Sequence, residues 1–99
     1  MKTPKETAES LLAQIQQVAH ARIRPMMGEY LLYVNDKVIG QINRSQLFIK
    51  VTSFGEGFAK DLSKESPYDG AKPAFVVPQN KIDDLIWMKD FLAGTVKEL

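Results

Sequence analysis

The chain has 99 residues, of which 44% are hydrophobic and 25% charged. That is enough for one cored domain without metal or disulfide staples, and it excludes intrinsic disorder and coiled coil. Thirteen Lys and Arg against 12 Asp and Glu leave a formal charge of +1, so no global field recruits DNA or anionic lipid. The absence of cysteine removes disulfides, thiol nucleophiles and cysteine zinc sites together. Met1 to Leu12 carries no apolar signal core and no run reaches membrane-spanning length, so a cytoplasmic protein without membrane association is expected.

The first expected element is a helix over about residues 4–20. Thr3-Pro4-Lys5-Glu6 has the form of a capping box, with hydroxyl at N-cap, Pro at N1 and Glu at N3. Leu11, Leu12, Ile15, Val18 and Ala19 then recur at helical spacing. From Tyr30 to Val51 the period shortens and two polar dipeptides interrupt it. Asn35-Asp36 and Arg44-Ser45 divide the run into strands at Tyr30–Val34, Lys37–Ile42 and Gln46–Val51, a three-stranded antiparallel meander. A turn-rich stretch, Thr52 to Gly57, leads to a short helix near Phe58–Lys64. Ser66 to Pro73 is a loop by composition, and Ala74–Val77 is a short strand ended by Pro78. Asn80 caps a last helix with Asp83 and Asp84 in its first turn. Its apolar stripe is Ile82, Leu85, Met88, Leu92, Val96 and Leu99, widened by Trp87 and Phe91. There is no internal repeat and no linker, so residues 1–99 form one domain. The order α-β-β-β-α-β-β-α predicts an α+β, two-layer fold: three helices on an antiparallel sheet of about five strands.

Residues that could carry chemistry are few. His20 is the single histidine and stands at the end of the first helix, where the dipole favours it; no paired metal-ligand spacing can exist. Gly55-Glu56-Gly57 lacks the third glycine of a dinucleotide fingerprint and any Gly-Lys-Ser/Thr, and reads as a turn. Asp83, Asp84 and Asp90 are explained by dipole compensation and an exposed helix face. Five basic residues between positions 20 and 50 face only Glu29 and Asp36, a patch too small for a duplex-binding surface. No catalytic residue, cofactor site or metal site is expected, and direct nucleic-acid binding is not expected. The paired Met26 and Met27 either fill core gaps or form an adaptable partner surface, and Gly28 ahead of a strand suggests a bulge or a close backbone approach.

The sequence resembles the N-terminal domain of the TfoX/Sxy competence-regulator family. The likeness starts at Arg24-Pro25-Met26 and runs through Gly28, Tyr30, Tyr33, Lys37-Val38 and Leu47-Phe48-Ile49-Lys50-Val51. It resumes at Pro67-Tyr68-Asp69-Gly70-Ala71-Lys72-Pro73, which resembles the Tyr-x-Gly-Ala-Lys-Pro segment of short, stand-alone members. It covers most of residues 20–99. Two positions depart from the family's Met-Phe-Gly-Gly-Tyr pattern: Met27 stands for the Phe and Glu29 for the second Gly. The resemblance implies a fold similar to secretion-chaperone-like two-layer proteins. It also implies a non-enzymatic role in transcriptional regulation of DNA uptake, exercised with a protein partner. The competing class is a small-molecule-binding domain or an enzyme of unknown reaction, either of which needs a polar concave site.

Strand register predicts where a partner would dock. With even-length turns, Leu32 aligns with Ile39 and Gln41 with Phe48. Leu31, Tyr33, Val38, Gly40, Ile42, Leu47, Ile49 and Val51 then pack under the helices. Tyr30, Leu32, Val34, Ile39 and Phe48 fall on the open face, with Lys37, Gln41 and Lys50 as a polar rim. Tyr30, Leu32, Ile39 and Phe48 are the expected docking residues for a protein partner or a second copy. A one-residue bulge near Gly28 or Gly40 would reverse this assignment, and the 66–73 loop folded over the patch would close it.

Overall fold

The computed structural model describes residues 2–99. Four helices pack on an antiparallel sheet of six strands, an α+β architecture. The elements are α1 (Lys5–Gln16), β1 (Ala21–Met26), β2 (Glu29–Val34), β3 (Lys37–Asn43), β4 (Gln46–Ile49), α2 (Ser53–Phe58), β5 (Lys64–Glu65), β6 (Ala74–Val77), α3 (Gln79–Ile82) and α4 (Leu85–Glu98). The sheet order is β1-β2-β3-β4-β6-β5.

Three two-residue turns generate the four-stranded meander. Asn35-Asp36 and Arg44-Ser45 have positive φ at both positions, and so does Met27-Gly28. Hairpin loops of this kind match the twist of the strands they join, at the cost of left-handed backbone. The Met27-Gly28 turn creates a strand absent from the expectation, β1. Its alternation is regular: Ala21 and Ile23 pack with the core while Arg22 and Arg24 are exposed. Pro25, which cannot donate to a ladder, is tolerated because β1 is an edge strand.

A bulge sets the faces of the sheet. Leu32 pairs with Gly40 and Tyr33 with Val38, so Ile39 is the extra residue on β3. The expected Leu32–Ile39 pairing is therefore replaced, whereas Gln41 does pair with Phe48. Side-chain alternation resumes on the other side of the extra residue, so all of β2 is turned over relative to the expectation. Leu32, Val34, Ile39, Ile42, Leu47 and Ile49 lie in the core beneath the helices. The bulge stays hydrogen-bonded, since the Ile39 carbonyl accepts from the Lys50 amide at 2.8 Å.

The helices differ from their expected ends. Thr3 does not cap α1: Pro4 occupies the N-cap without a side-chain hydrogen bond, and the Thr3 hydroxyl is used elsewhere. The helix stops at Gln16, leaving His20 four residues beyond it. Helix α2 begins earlier than expected, at Ser53, because the Thr52 hydroxyl accepts from the Gly55 amide at 3.0 Å. The Glu98 carboxylate accepts from the amides of Ser53 and Phe54 at 2.7 and 3.0 Å, so α4 holds the start of α2. The C-terminal helix is two pieces, and Asp84, not Asn80, caps the longer one by accepting from the Trp87 amide. Between α2 and α4, Phe54, Phe58, Trp87 and Phe91 stack with ring centroids 4.8–6.0 Å apart. Each such pair adds about 0.5–1.5 kcal/mol beyond the area it buries.

Two substitutions test this frame. A Cβ at Gly40 would overlap the Phe48 carbonyl oxygen, so Gly40→Ala should destabilise the protein by about 2–4 kcal/mol, read from the urea midpoint. Ser45 sits at φ 62°, and among the described residues its hydrogen bond is made by the backbone amide, which Gly would keep. Ser45→Gly should therefore raise stability by about 0.5–1 kcal/mol in the same assay.

Candidate functional site

With every long helix on one side, the other side of the sheet keeps a partly open surface. Leu31, Val38, Gln41 and Phe48 form the floor of a trough there, and the 66–73 loop forms one wall. The depression has a volume of about 570 Å³, within the range of ligand-binding sites. Lys50 and Lys72 open into it, and no Asp or Glu side chain lines it. A second depression of about 780 Å³ adjoins it, sharing Met26, Gln41, Pro67 and Tyr68.

The residues expected to dock a partner are placed differently. Leu32 and Ile39 are fully buried in the core under the helices, turned there by the bulge, and are no docking surface. Tyr30 is half-buried and packs against the same core. Phe48 does lie on the open face, but it has no exposed surface, so it supports the floor rather than offering its ring. Lys37 leaves the expected rim: its ammonium donates to the Val96 and Leu99 carbonyls at 3.2 and 3.1 Å, at the end of α4. Gln41 and Lys50 remain at the trough. Leu31 and Val38, expected in the core, take the place of Leu32 and Ile39 on the open side.

The loop wall is built from short-range bonds. The Ala71 amide donates to the Tyr68 carbonyl at 3.1 Å, closing a turn in which Gly70 takes φ 87°. The Ser66 hydroxyl donates to the Ala71 carbonyl at 2.8 Å. Pro67 is buried while Tyr68 is 52% exposed, so the loop presents one ring to solvent at the saddle between the two depressions. On the β1 side, the Arg22 guanidinium lies 4.0 Å from the Tyr33 ring centroid, which covers that ring.

The far end is closed by Glu29. Its carboxylate accepts from the Thr3 amide at 3.1 Å, from the Thr3 hydroxyl at 2.5 Å and from the Arg44 amide at 3.0 Å. The Thr3 hydroxyl in turn accepts from the Ser45 amide at 2.9 Å. Glu29 and Thr3 thus fasten the N-terminal segment to two hairpin turns, a long-range contact that nearest-neighbour patterning could not reveal. Desolvation disfavours the Glu29 carboxylate. The hydrogen bonds from the Thr3 hydroxyl and the Arg44 and Thr3 amides outweigh it, and the pKa lies below the ordinary glutamate value.

The remaining residues singled out by sequence are structural. Gly55-Glu56-Gly57 lies within α2, and Glu56 pairs with Lys64 at 2.5 Å. Asp83 accepts from Gln79 and Gln14 at 2.8 and 2.9 Å, tying α3 to α1; these bonds lower its pKa. The His20 carbonyl accepts from the Asn35 amide at 3.0 Å. No group of three or more His, Asp or Glu side chains is clustered for metal ligation among the described residues. Among them, too, no helix is long and apolar enough to cross a membrane.

The fold and the trough define an α+β protein with one sheet face packed and the other partly open. No family model matches the chain. It is similar over its whole length to an uncharacterized 12.7 kDa protein in the trpE 5' region of Spirochaeta aurantia. The two are 29% identical over 99 residues, which is 85% of that protein.

The Glu29 contacts carry a pH prediction. A carboxyl whose pKa is lowered by folding contributes stability above its unfolded value, and that contribution is lost as pH falls through the folded one. Wild-type stability should therefore decline as pH drops below about 4.5, the ordinary value. Glu29→Gln should lose about 1–2 kcal/mol at neutral pH and show a flatter decline in acid. Urea midpoints measured across pH for both proteins check this.

Proposed function

We propose that this chain is a non-catalytic regulatory domain of TfoX N-terminal type that acts in the cytoplasm by docking a protein partner in the open-face trough. One observation carries the reading. Residues on which the sequence resemblance rests come from four separate segments, yet Met26, Val38, Phe48, Lys50, Tyr68 and Lys72 all line the same depression. Others of the same set lie on the helix side: Leu47 and Ile49 are in the core and Tyr30 packs against it. The trough also has the composition of a docking surface, an apolar floor with a charged rim. The resemblance supplies the process, transcriptional control of DNA uptake.

Leu31→Glu combined with Val38→Glu tests the reading. Both side chains are half-buried at the trough and outside the core, so the variant should keep its helical and sheet circular dichroism. Affinity capture of the wild-type chain from its native cytoplasm should recover a transcription-associated protein, and the variant should lose it at least tenfold. Deletion of the gene should lower the transcripts of DNA-uptake genes. Equal recovery by the two proteins, or unchanged transcripts, overturns the proposal.

A further inference from the structure

We infer that the trough receives an extended segment of a partner protein in which large apolar residues sit beside Asp or Glu. This rests on the docking reading above and adds the chemistry of what docks. Shape is the first argument. The two depressions share Met26, Gln41, Pro67 and Tyr68, so they form one elongated channel and not an enclosed cavity. It crosses β1 to β4, three strand spacings or about 14 Å, the length of roughly four extended residues. A compact small molecule would fill only part of it.

Charge is the second argument. Lys50 and Lys72 reach the first depression, Lys2 and Arg44 the second. None of the four takes part in an ion pair among the described residues. The acidic side chains nearby are Glu29 and Asp69, two against the four cations of the two depressions. At the edge of the first depression, the Leu99 carbonyl accepts from Lys37. The channel therefore carries a net positive field over an apolar floor, and its complement is an acidic, apolar strand. Single-stranded nucleic acid offers negative charge too, but it is held by successive exposed rings. Here Phe48 is fully buried and Arg22 covers Tyr33, which leaves Tyr68 as the ring available on the channel.

The test is to pan a display library of random twelve-residue peptides against the purified full chain. Enriched sequences should place Asp or Glu within two residues of Leu, Met, Phe or Trp. A synthetic peptide of the commonest sequence should shift the amide resonances of Leu31, Val38 and Lys50. Its affinity should fall at least tenfold for Lys50→Gln/Lys72→Gln and stay unchanged for Lys60→Gln/Lys89→Gln, which lie outside the channel. The inference is overturned by any of four results: no enrichment, enrichment without acidic residues, binding that survives loss of both lysines, or tighter binding of an oligothymidylate than of the peptide. If Leu31→Glu/Val38→Glu loses the captured partner while Lys50→Gln/Lys72→Gln retains it, docking stands and the acidic chemistry falls.

Discussion

One extra residue in β3 decides what this protein shows to its surroundings. Without the bulge at Ile39, strict alternation from Ile42 back through the hairpin would place Leu31, Tyr33 and Val38 under the helices and leave Leu32, Val34 and Ile39 outside. In the actual fold Leu32, Val34 and Ile39 are all buried, while Leu31, Tyr33 and Val38 are half-buried on the other side. Each large aliphatic side chain moved from water into the core contributes about 1.5–3 kcal/mol. The turnover, however, trades Leu31, Tyr33 and Val38 for Leu32, Val34 and Ile39, so it selects which apolar set fills the core at the cost of one unpaired ladder position. The bulge also limits that cost, because its carbonyl finds the Lys50 amide just past the end of β4. Gly40 makes the arrangement sterically possible, since the Phe48 backbone occupies the space a side chain would need.

The bulge also explains which parts of the fold could be read from sequence. The hairpin turns at Asn35-Asp36 and Arg44-Ser45 were legible because polar dipeptides interrupt an apolar run. The Gln41–Phe48 pairing followed from the second turn. The faces of β2 were not legible, because an alternation pattern is equally regular on either side of a bulge and nothing local marks the inserted residue apart from a glycine beside it. Strand β1 had a readable signal, with Ala21 and Ile23 alternating with Arg22 and Arg24, but Pro25 argues against a strand until the strand is known to be an edge. The misplaced start of α2 has a similar cause. Phe54 and Phe58 stand at helical spacing behind a Thr cap, while the two glycines between them signal a turn, and the cap together with Glu98 from a distant helix wins.

Thr3 and Glu29 show the same competition at longer range. The Thr-x-x-Glu pattern is a valid local cap, and its local bonds would be worth about 1 kcal/mol. In the fold the Thr3 hydroxyl instead joins a carboxylate and the Ser45 amide, both far away in sequence. Glu29 takes the Thr3 amide that Glu6 would have taken and accepts from the Thr3 hydroxyl as well. A hydrogen bond to a charged acceptor is worth about 1.5–3 kcal/mol, so the distant arrangement gains one such bond over the local box. Glu29 anchors the N-terminal segment against the mouth of the second depression, with Lys2 beside Gly28.

These constraints together determine the form of the trough. The meander needs its large aliphatic side chains on the helix side, and the bulge delivers them there. What remains for the other side is Leu31, Val38, Gln41 and Phe48, a largely apolar floor. The Arg44 guanidinium lies 6.0 Å from the Phe48 ring centroid. The 66–73 loop, held by its own turn and by buried Pro67, walls the depression on whose floor Phe48 lies. It stops short of β2, so Leu31 and Val38 stay half-exposed beside two lysines that meet no carboxylate among the described residues. Stability alone would favour extending the cover or replacing those side chains with polar ones, since neither contributes to the helix-side core. In the docking reading proposed above, another molecule completes the burial of this partly roofed apolar channel.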